Sequence, residues 1–420
     1  MGRVSSLQIA AFHQLRRRRR LALVAVILGL LGIRERNQRR TRFYLTRGDL
    51  HLPNNSPWQK LYEAGHDSAF ILTTGIDTRV FHFLLTEGGF ENAWCTTPLP
   101  RADVPAINLP KPRPWARSLT ASGALGLALH YLNSTMRDVD LHLVFGILPA
   151  VCSRYRRFAL VLLLRCLEKL PEAAIRWPKE EEMRKYSDLI TRRHGNELAG
   201  AFGMVDGCHL PVACSGDLDI QNAYYNGWCS SHFTSNLFVF APDGTIIYAT
   251  VNAPGSWHDS KVARSLYRKI IDKTPDNFFL IADTAFPASS PVLRGRIRCP
   301  PKRNAVAPFQ TAEEAFRLVR FFEKLVSARQ AAEWGMHALQ GPFSRLKMPM
   351  PSHDSAFRKL ILDICSRLHN LRTRCVGINQ IKTVYEEVWK QNGVYMEFAD
   401  MLFKDIHAND RIRRYYVFVP

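Results

Sequence analysis

The sequence has no CxxC pair, no apolar run long enough to cross a bilayer, no internal repeat, and too few acids to balance its bases. Its nine cysteines (Cys95, Cys152, Cys166, Cys208, Cys214, Cys229, Cys299, Cys365 and Cys375) are scattered and odd in number. That argues against a zinc framework and a disulfide scaffold, and fits a reducing, intracellular compartment. The longest apolar run, Leu21 to Ile33, has thirteen residues. As a helix it rises about 20 Å, short of the ~30 Å of a bilayer core. The unbroken arginine run Arg16 to Arg20 precedes it, as at the opening of a signal peptide. No small-residue cleavage site follows, however, and Arg34, Arg36, Arg39 and Arg40 come next. The expectation is a helix with basic flanks that serves nuclear localisation or touches DNA backbone, with no stable membrane insertion.

The bases are in excess. Lys and Arg total 57 against 37 acids, a net charge of +20, and a field of that sign attracts polyanions. A solvated basic surface on an unrelated enzyme is the bland alternative. Residues 1–50 hold twelve arginines and only two acids, Glu35 and Asp49, so half of the net charge sits in this arm. Residues 51–115 read as a helical and Pro-rich linker region, with prolines at 98, 100, 105, 110, 112 and 114. Residues 116–200 read as helical. Leu125, Leu127, Leu129 and Leu132 are expected near one helix face, and Leu141 to Phe145 is a second apolar segment. Gly146 breaks that segment and Pro149 opens a third, Ala150 to Leu170. Helix, short turn and helix is the outline of a helix-turn-helix, whose second helix carries Ser153, Arg154, Arg156 and Arg157 as candidate DNA contacts. An ordinary helical hairpin with a cationic outer face fits the same pattern.

Residues 201–350 change character. Phe202 to Val205 and Leu210 to Ala213 read as short strands, and Ser235 to Phe240 and Thr245 to Val251 as a hairpin joined by Ala-Pro-Asp-Gly. His258 to Ile271 reads as a helix, Phe278 to Ala282 as a buried central strand, and Leu293 to Ile297 as a further short strand. Thr311 to Gln340 reads as a long helix opened by a capping box. A helical extension is expected over 351–420. This order predicts an α/β, ribonuclease H-like mixed sheet flanked by helices and preceded by a helical region.

Three acids hold informative places in that order: Asp206 at the end of the first strand, Asp283 at the end of the buried strand, and Glu333 on the late helix. A carboxylate at the end of a buried strand is costly unless it is paired, hydrogen-bonded or bound to a cation. Adjacent strand ends bring two carboxylates within about 5 Å, and a divalent ion resolves their repulsion. A third carboxylate completes the oxygen-rich shell that Mg²⁺ prefers. Two such ions can serve phosphodiester hydrolysis. Each acid also has an ordinary alternative. Asp206 could cap a turn before Gly207, Asp283 could bond backbone at a strand–helix junction, and Glu333 could be a solvated helix residue with Glu323 as its rival. Asp259 is a candidate fourth carboxylate or supporting residue, or else a plain helix N-terminal charge.

Five ordered blocks carry a resemblance: Val-Asp-Gly-Cys-His at 205–209, Tyr-Tyr-Asn-Gly-Trp at 224–228, Asn-Ala-Pro-Gly-Ser-Trp-His-Asp-Ser at 252–260, Ala-Asp-Thr-Ala-Phe-Pro at 282–287 and Ala-Glu-Trp-Gly-Met-His-Ala-Leu-Gln-Gly at 332–341. Over roughly residues 116–390 the chain resembles PIF/Harbinger transposases and their domesticated nuclease relatives, in a form common among fungi. The resemblance implies a DDE triad of Asp206, Asp283 and Glu333, with Asp259 recurring beside it, and Mg²⁺ or Mn²⁺, two ions, as cofactor. It implies DNA as partner and a nuclear location, and for some relatives a Myb-like accessory protein. Homo-oligomerisation stays open. Cys208, Ala282 and Thr284-Ala285-Phe286 depart from the family's usual residues, and the gap from Asp283 to Glu333 is longer than in many relatives. No carboxylate is lost. The function expected is a metal-dependent DNA endonuclease or transposase; the alternative is a DNA-binding protein of the same fold without catalysis.

Overall fold

The computed structural model describes residues 6–100, 104–105, 110–286, 291–293, 295–300 and 311–386. The expected helical extension past residue 386, part of the Pro-rich stretch and Pro287 of the fourth block lie outside them. Helix α1 (Ser6–Phe43) carries the arginine-flanked apolar run, whose leucines and valines are exposed. No helix of the described residues is long and apolar enough to cross a membrane.

Four short helices follow: α2 (Pro57–Ala64), α3 (Asp67–Thr74), α4 (Thr78–Leu85) and α5 (Phe90–Thr96). Next come α6 (Ala121–Asn133), α7 (Asp138–Phe145), α8 (Pro149–Leu167) and α9 (Glu180–His194). The turn between α7 and α8 is set by Gly146 in the left-handed region at φ +62° and by Pro149 at the start of α8. The four leucines of α6 do not mark one face, because spacings of two residues spread side chains around a helix. All four are buried, since α6 is the hub on which α3, α5 and α8 pack.

The sheet is built from β1 (Ala201–Pro211), β2 (Tyr225–Asn226), β3 (Ser231–Phe240), β4 (Ile246–Pro254), β5 (Phe279–Ile281) and β6 (Ile297–Arg298). Helices α10 (Leu218–Tyr224), α11 (Asp259–Val262), α12 (Arg264–Lys273), α13 (Ala312–Gln340), α14 (Ser355–Leu371) and α15 (Gln380–Tyr385) complete it. Strand order is β2-β3-β1-β5-β6, with β4 also on β3. The β4-β3-β1 ribbon is antiparallel, and β5 and β6 run parallel to β1. This is the ribonuclease H-like mixed sheet with helices on both faces. The two runs expected at 202–205 and 210–213 are one strand. The polar Asp206 and Gly207 interrupt the apolar pattern but not the ladder, because they pair with Phe238 and Leu237 of β3.

Alternation along the strands feeds two cores. Met204, Cys208, Phe240 and Ile281 face α13, α14 and the N-terminal helices. Phe202, Val205, Val239 and Leu280 face α9, α11 and α12. Gly335 is where α13 rests on the sheet: a Cβ there would lie 2.7 Å from the Phe240 ring. The Arg-Leu-His-Asn-Leu-Arg block of α14 grips the β3–β4 hairpin. Buried Asn370 accepts from the Ile246 amide at 2.7 Å and donates to the Ile246 and Ala174 carbonyls.

Candidate active site

Asp206 and Asp283 are brought together by register. Met204 pairs with Ile281, the last residue of β5, across the parallel β1–β5 ladder; two residues further on, Asp283 leaves the strand within electrostatic reach of Asp206. β5 ends at Ile281 while β1 runs on to Pro211. Both carboxylates therefore stand where the sheet opens. Asp206 lies mid-strand, not at a strand end.

Burial pushes the Asp206 carboxyl up to about 6; Asp283 and Glu333 add to the rise, and Arg329 opposes it. Glu333 thus lies within electrostatic reach of Asp206. Exposed Glu323 is ten residues away on α13, about 15 Å along the axis. Asp259 comes from the other face of β1, where the odd-numbered residues point. A Cβ on Gly207 would lie 3.0 Å from its Oδ1. Its carboxyl is also raised, by burial first and then by Asp283, while His209 draws it down. Asp206 thus has Asp283 and Glu333 within electrostatic reach, and Asp259, from the other face of β1, has Asp283.

Three of these acids also make an ordinary local bond. Asp206 Oδ1 accepts from the Gly207 amide at 2.9 Å, and Asp283 Oδ1 accepts from the Ala285 amide at 2.9 Å. Asp259 sits in the first turn of α11. Glu333 Oε1 accepts from Arg329 at 3.0 Å, one turn earlier on the helix. Local capping and a shared site coexist here, because each bond uses one carboxylate oxygen and leaves the other.

Sequence reasoning missed Arg329 and His209. Arg329 stands between Glu333 and Asp206, and its signal was the (i, i+4) spacing to Glu333 on one helix face. His209 lies beside Asp259 and against the Phe233 ring, 4.1 Å between centroids. It is two residues past Gly207 on the same strand face, a period-2 signal.

The candidate DNA contacts Arg154, Arg156 and Arg157 lie on α8. Arg154 is exposed. Arg156 stacks over Tyr131 at 4.5 Å, and Arg157 pairs with Asp354 at 2.8 Å and covers Phe357. These contacts tie α8 to α6 and to the start of α14.

Among the described residues, no three His, Cys, Asp or Glu side chains stand close enough together to hold a metal ion. The donor chemistry nonetheless fits a hard divalent cation: the candidate groups are carboxylates, and the upward pressure on Asp206 is the conflict a cation would relieve. In the arrangement seen, Arg329 supplies part of that positive charge. Drawing Glu333 into a metal shell requires its release from Arg329.

Comparison with curated proteins and with solved structures returned no match in either case. Residues 205–370, less than half of the chain but the stretch that carries Asp206, Asp259, Asp283 and Glu333, match the family model described as DDE superfamily endonuclease.

Proposed function

We propose that this chain is a metal-dependent DNA endonuclease of the transposase type, which cuts phosphodiester bonds and, as a full transposase, joins the freed 3′ hydroxyl to target DNA. The observation that carries the reading is Asp283, two residues past the end of β5, lying within electrostatic reach of Asp206 on the adjacent parallel strand, inside the segment similar to DDE endonucleases. Asp206, Asp283 and Glu333, with Asp259 beside them, would hold Mg²⁺ or Mn²⁺, two ions. When bound, such ions activate the attacking water and stabilise the leaving 3′ oxygen. The protein's own part is to fix the carboxylates on a rigid sheet, to keep Asp206 poised by burial, and to orient Glu333 through Arg329. The excess of basic residues supports DNA as the substrate, with Arg154, Arg156, Arg157 and the arginine arm as contacts. The same reading places the protein in the nucleus, with a Myb-like accessory protein or a second copy as partners.

A second reading, a DNA-binding protein of this fold without catalysis, is favoured by one observation: Glu333 is held by Arg329. A nicking assay separates the two. Purified full-length protein with its flanking genomic DNA and Mg²⁺ or Mn²⁺ should produce cut ends, absent with chelator. Asp206→Asn and Asp283→Asn should each abolish cutting while DNA binding persists, because the amide keeps the shape and loses the charge. Cutting by either folded variant removes the carboxylate assignment. Binding without any cutting by the wild type establishes the second reading.

A further inference from the structure

Across the sheet face that carries Asp259, the segment from Pro254 to Val262 crosses β3 and then β1. Its backbone is tied at each step. The Ser256 amide donates to the Ala223 carbonyl at 3.1 Å and the Trp257 amide to the Pro254 carbonyl at 3.0 Å. The Trp257 carbonyl accepts from Ser235 Oγ at 3.4 Å, and the His258 side chain caps α11 by accepting from the Ser260 amide. Gly255 admits this close approach, because a Cβ there would collide with the Tyr224 and Phe233 carbonyls. On this fixed backbone Trp257 is 36% exposed, a large amphipathic ring partly open to solvent. Lys261 Nζ sits 3.9 Å from its ring centroid. Two residues further along the chain, the Asp259 carboxylate enters the acid cluster.

An indole on a tied backbone, a lysine ammonium above its ring and a carboxylate of the acid group two residues along the chain form a recognisable set. We propose that Trp257 is a stacking platform for the nucleobase flanking the scissile phosphate, and that Lys261 holds the phosphate next to it. The inference rests on the endonuclease reading for the position of the scissile phosphate. Trp257 spans two residues to Asp259, at most about 7 Å of chain, comparable to the step from one nucleotide to the next on an extended strand. Stacking a base on tryptophan outweighs an exposed cation–π contact. An incoming base therefore displaces the Lys261 ammonium from the ring, and the flexible stem of the lysine carries the charge to a phosphate oxygen. A base inside an intact duplex cannot offer its face. The platform therefore selects DNA that is single-stranded or unpaired beside the cut.

The test uses full-length protein and a single-stranded oligonucleotide with 2-aminopurine at one position, titrated without divalent ion, and in parallel a cleavage assay with Mg²⁺ on gapped and intact duplex. Wild-type protein should quench 2-aminopurine on binding. Trp257→Ala should lose the quench and bind the single strand about tenfold more weakly, with intact duplex affinity unchanged; Trp257→Phe should keep most of both. Lys261→Ala should lower the salt slope on single strands by about 0.7, one phosphate contact. An unchanged quench and affinity in Trp257→Ala overturns the platform, whether or not the wild type cuts. Equal losses of affinity on single-stranded and duplex DNA overturn it too, since a stacking site spares paired bases. Quenching that depends on Trp257, with no Mg²⁺-dependent cutting, leaves the platform standing and removes the endonuclease reading instead. Circular dichroism of the Trp257 variants checks folding, and Trp257→Leu, apolar but without a ring to stack, carries the test with the same expected losses if Trp257→Ala fails to fold.

Discussion

Asp206 is held in tension by its surroundings, and that tension is measurable as stability. Its carboxyl is raised from 3.8 to about 6, chiefly by burial. Between those values the native chain keeps a proton that the unfolded chain has released, so stability falls as pH rises through the window and the full penalty applies above about 6. Asp206→Asn removes the penalty. Without divalent ions, denaturant melts should show the variant more stable at pH 7 by at most about 3 kcal/mol and no different below about pH 4. Added Mg²⁺ should raise the wild-type midpoint and leave the variant's nearly unmoved. A variant less stable than wild type at pH 7 would show that the carboxylate is satisfied, not strained. Arg329 draws the Asp206 value down, so Arg329→Gln should shift the acid limb of the cleavage–pH profile to higher pH. If the limb stays where it was, Arg329 does not act on Asp206.

Helix α13 delivers Glu333 only because it lies close on the sheet, and Gly335 is the reason it can. Gly335→Ala puts a methyl 2.7 Å from the Phe240 ring carbons, which a packed core cannot absorb without moving helix or ring. The expected cost is about 1–3 kcal/mol in a chemical melt, with cleavage reduced more than DNA binding, since the displaced helix carries Glu333 and Arg329. Equal stability and activity would show that α13 can slide freely. The elements themselves were largely legible. The hairpin followed from Ala-Pro-Asp-Gly, with Gly244 at φ +84°, and α13 followed from the cap at Thr311, which accepts from the Glu314 amide. The unbroken run of β1 was not legible, because its site residues remove the apolar alternation on which strand reading depends. α6 misled for the opposite reason: a helix buried on every side has no amphipathic period to read.

Charge acts over the whole molecule. The arm of residues 1–50 holds half of the +20 net charge, and its helix α1 displays the arginine run on an exposed rod. If it lies along DNA, deleting residues 1–40 should flatten the slope of log K against log salt by several units, at roughly 0.9 per duplex phosphate contact. Metal-dependent cutting of a short, tightly bound oligonucleotide should persist, because no candidate acid lies in the arm. An unchanged slope would assign DNA contact to the rest of the surface, with Arg154 and Arg157 the exposed members of their trio.

The sequence by itself determined the order of strands and helices, the charge, and which acids to suspect, because turn residues, apolar periods and short motifs are local signals. Only the tertiary structure decided that Asp283 lies within electrostatic reach of Asp206, that Asp259 reaches Asp283 from the opposite face of β1 beside His209, and that Arg329 pairs Glu333 near Asp206. Those facts depend on which strand lies beside β1 and where β5 stops. Strand pairing joins residues 77 positions apart in the chain, and no local pattern encodes it.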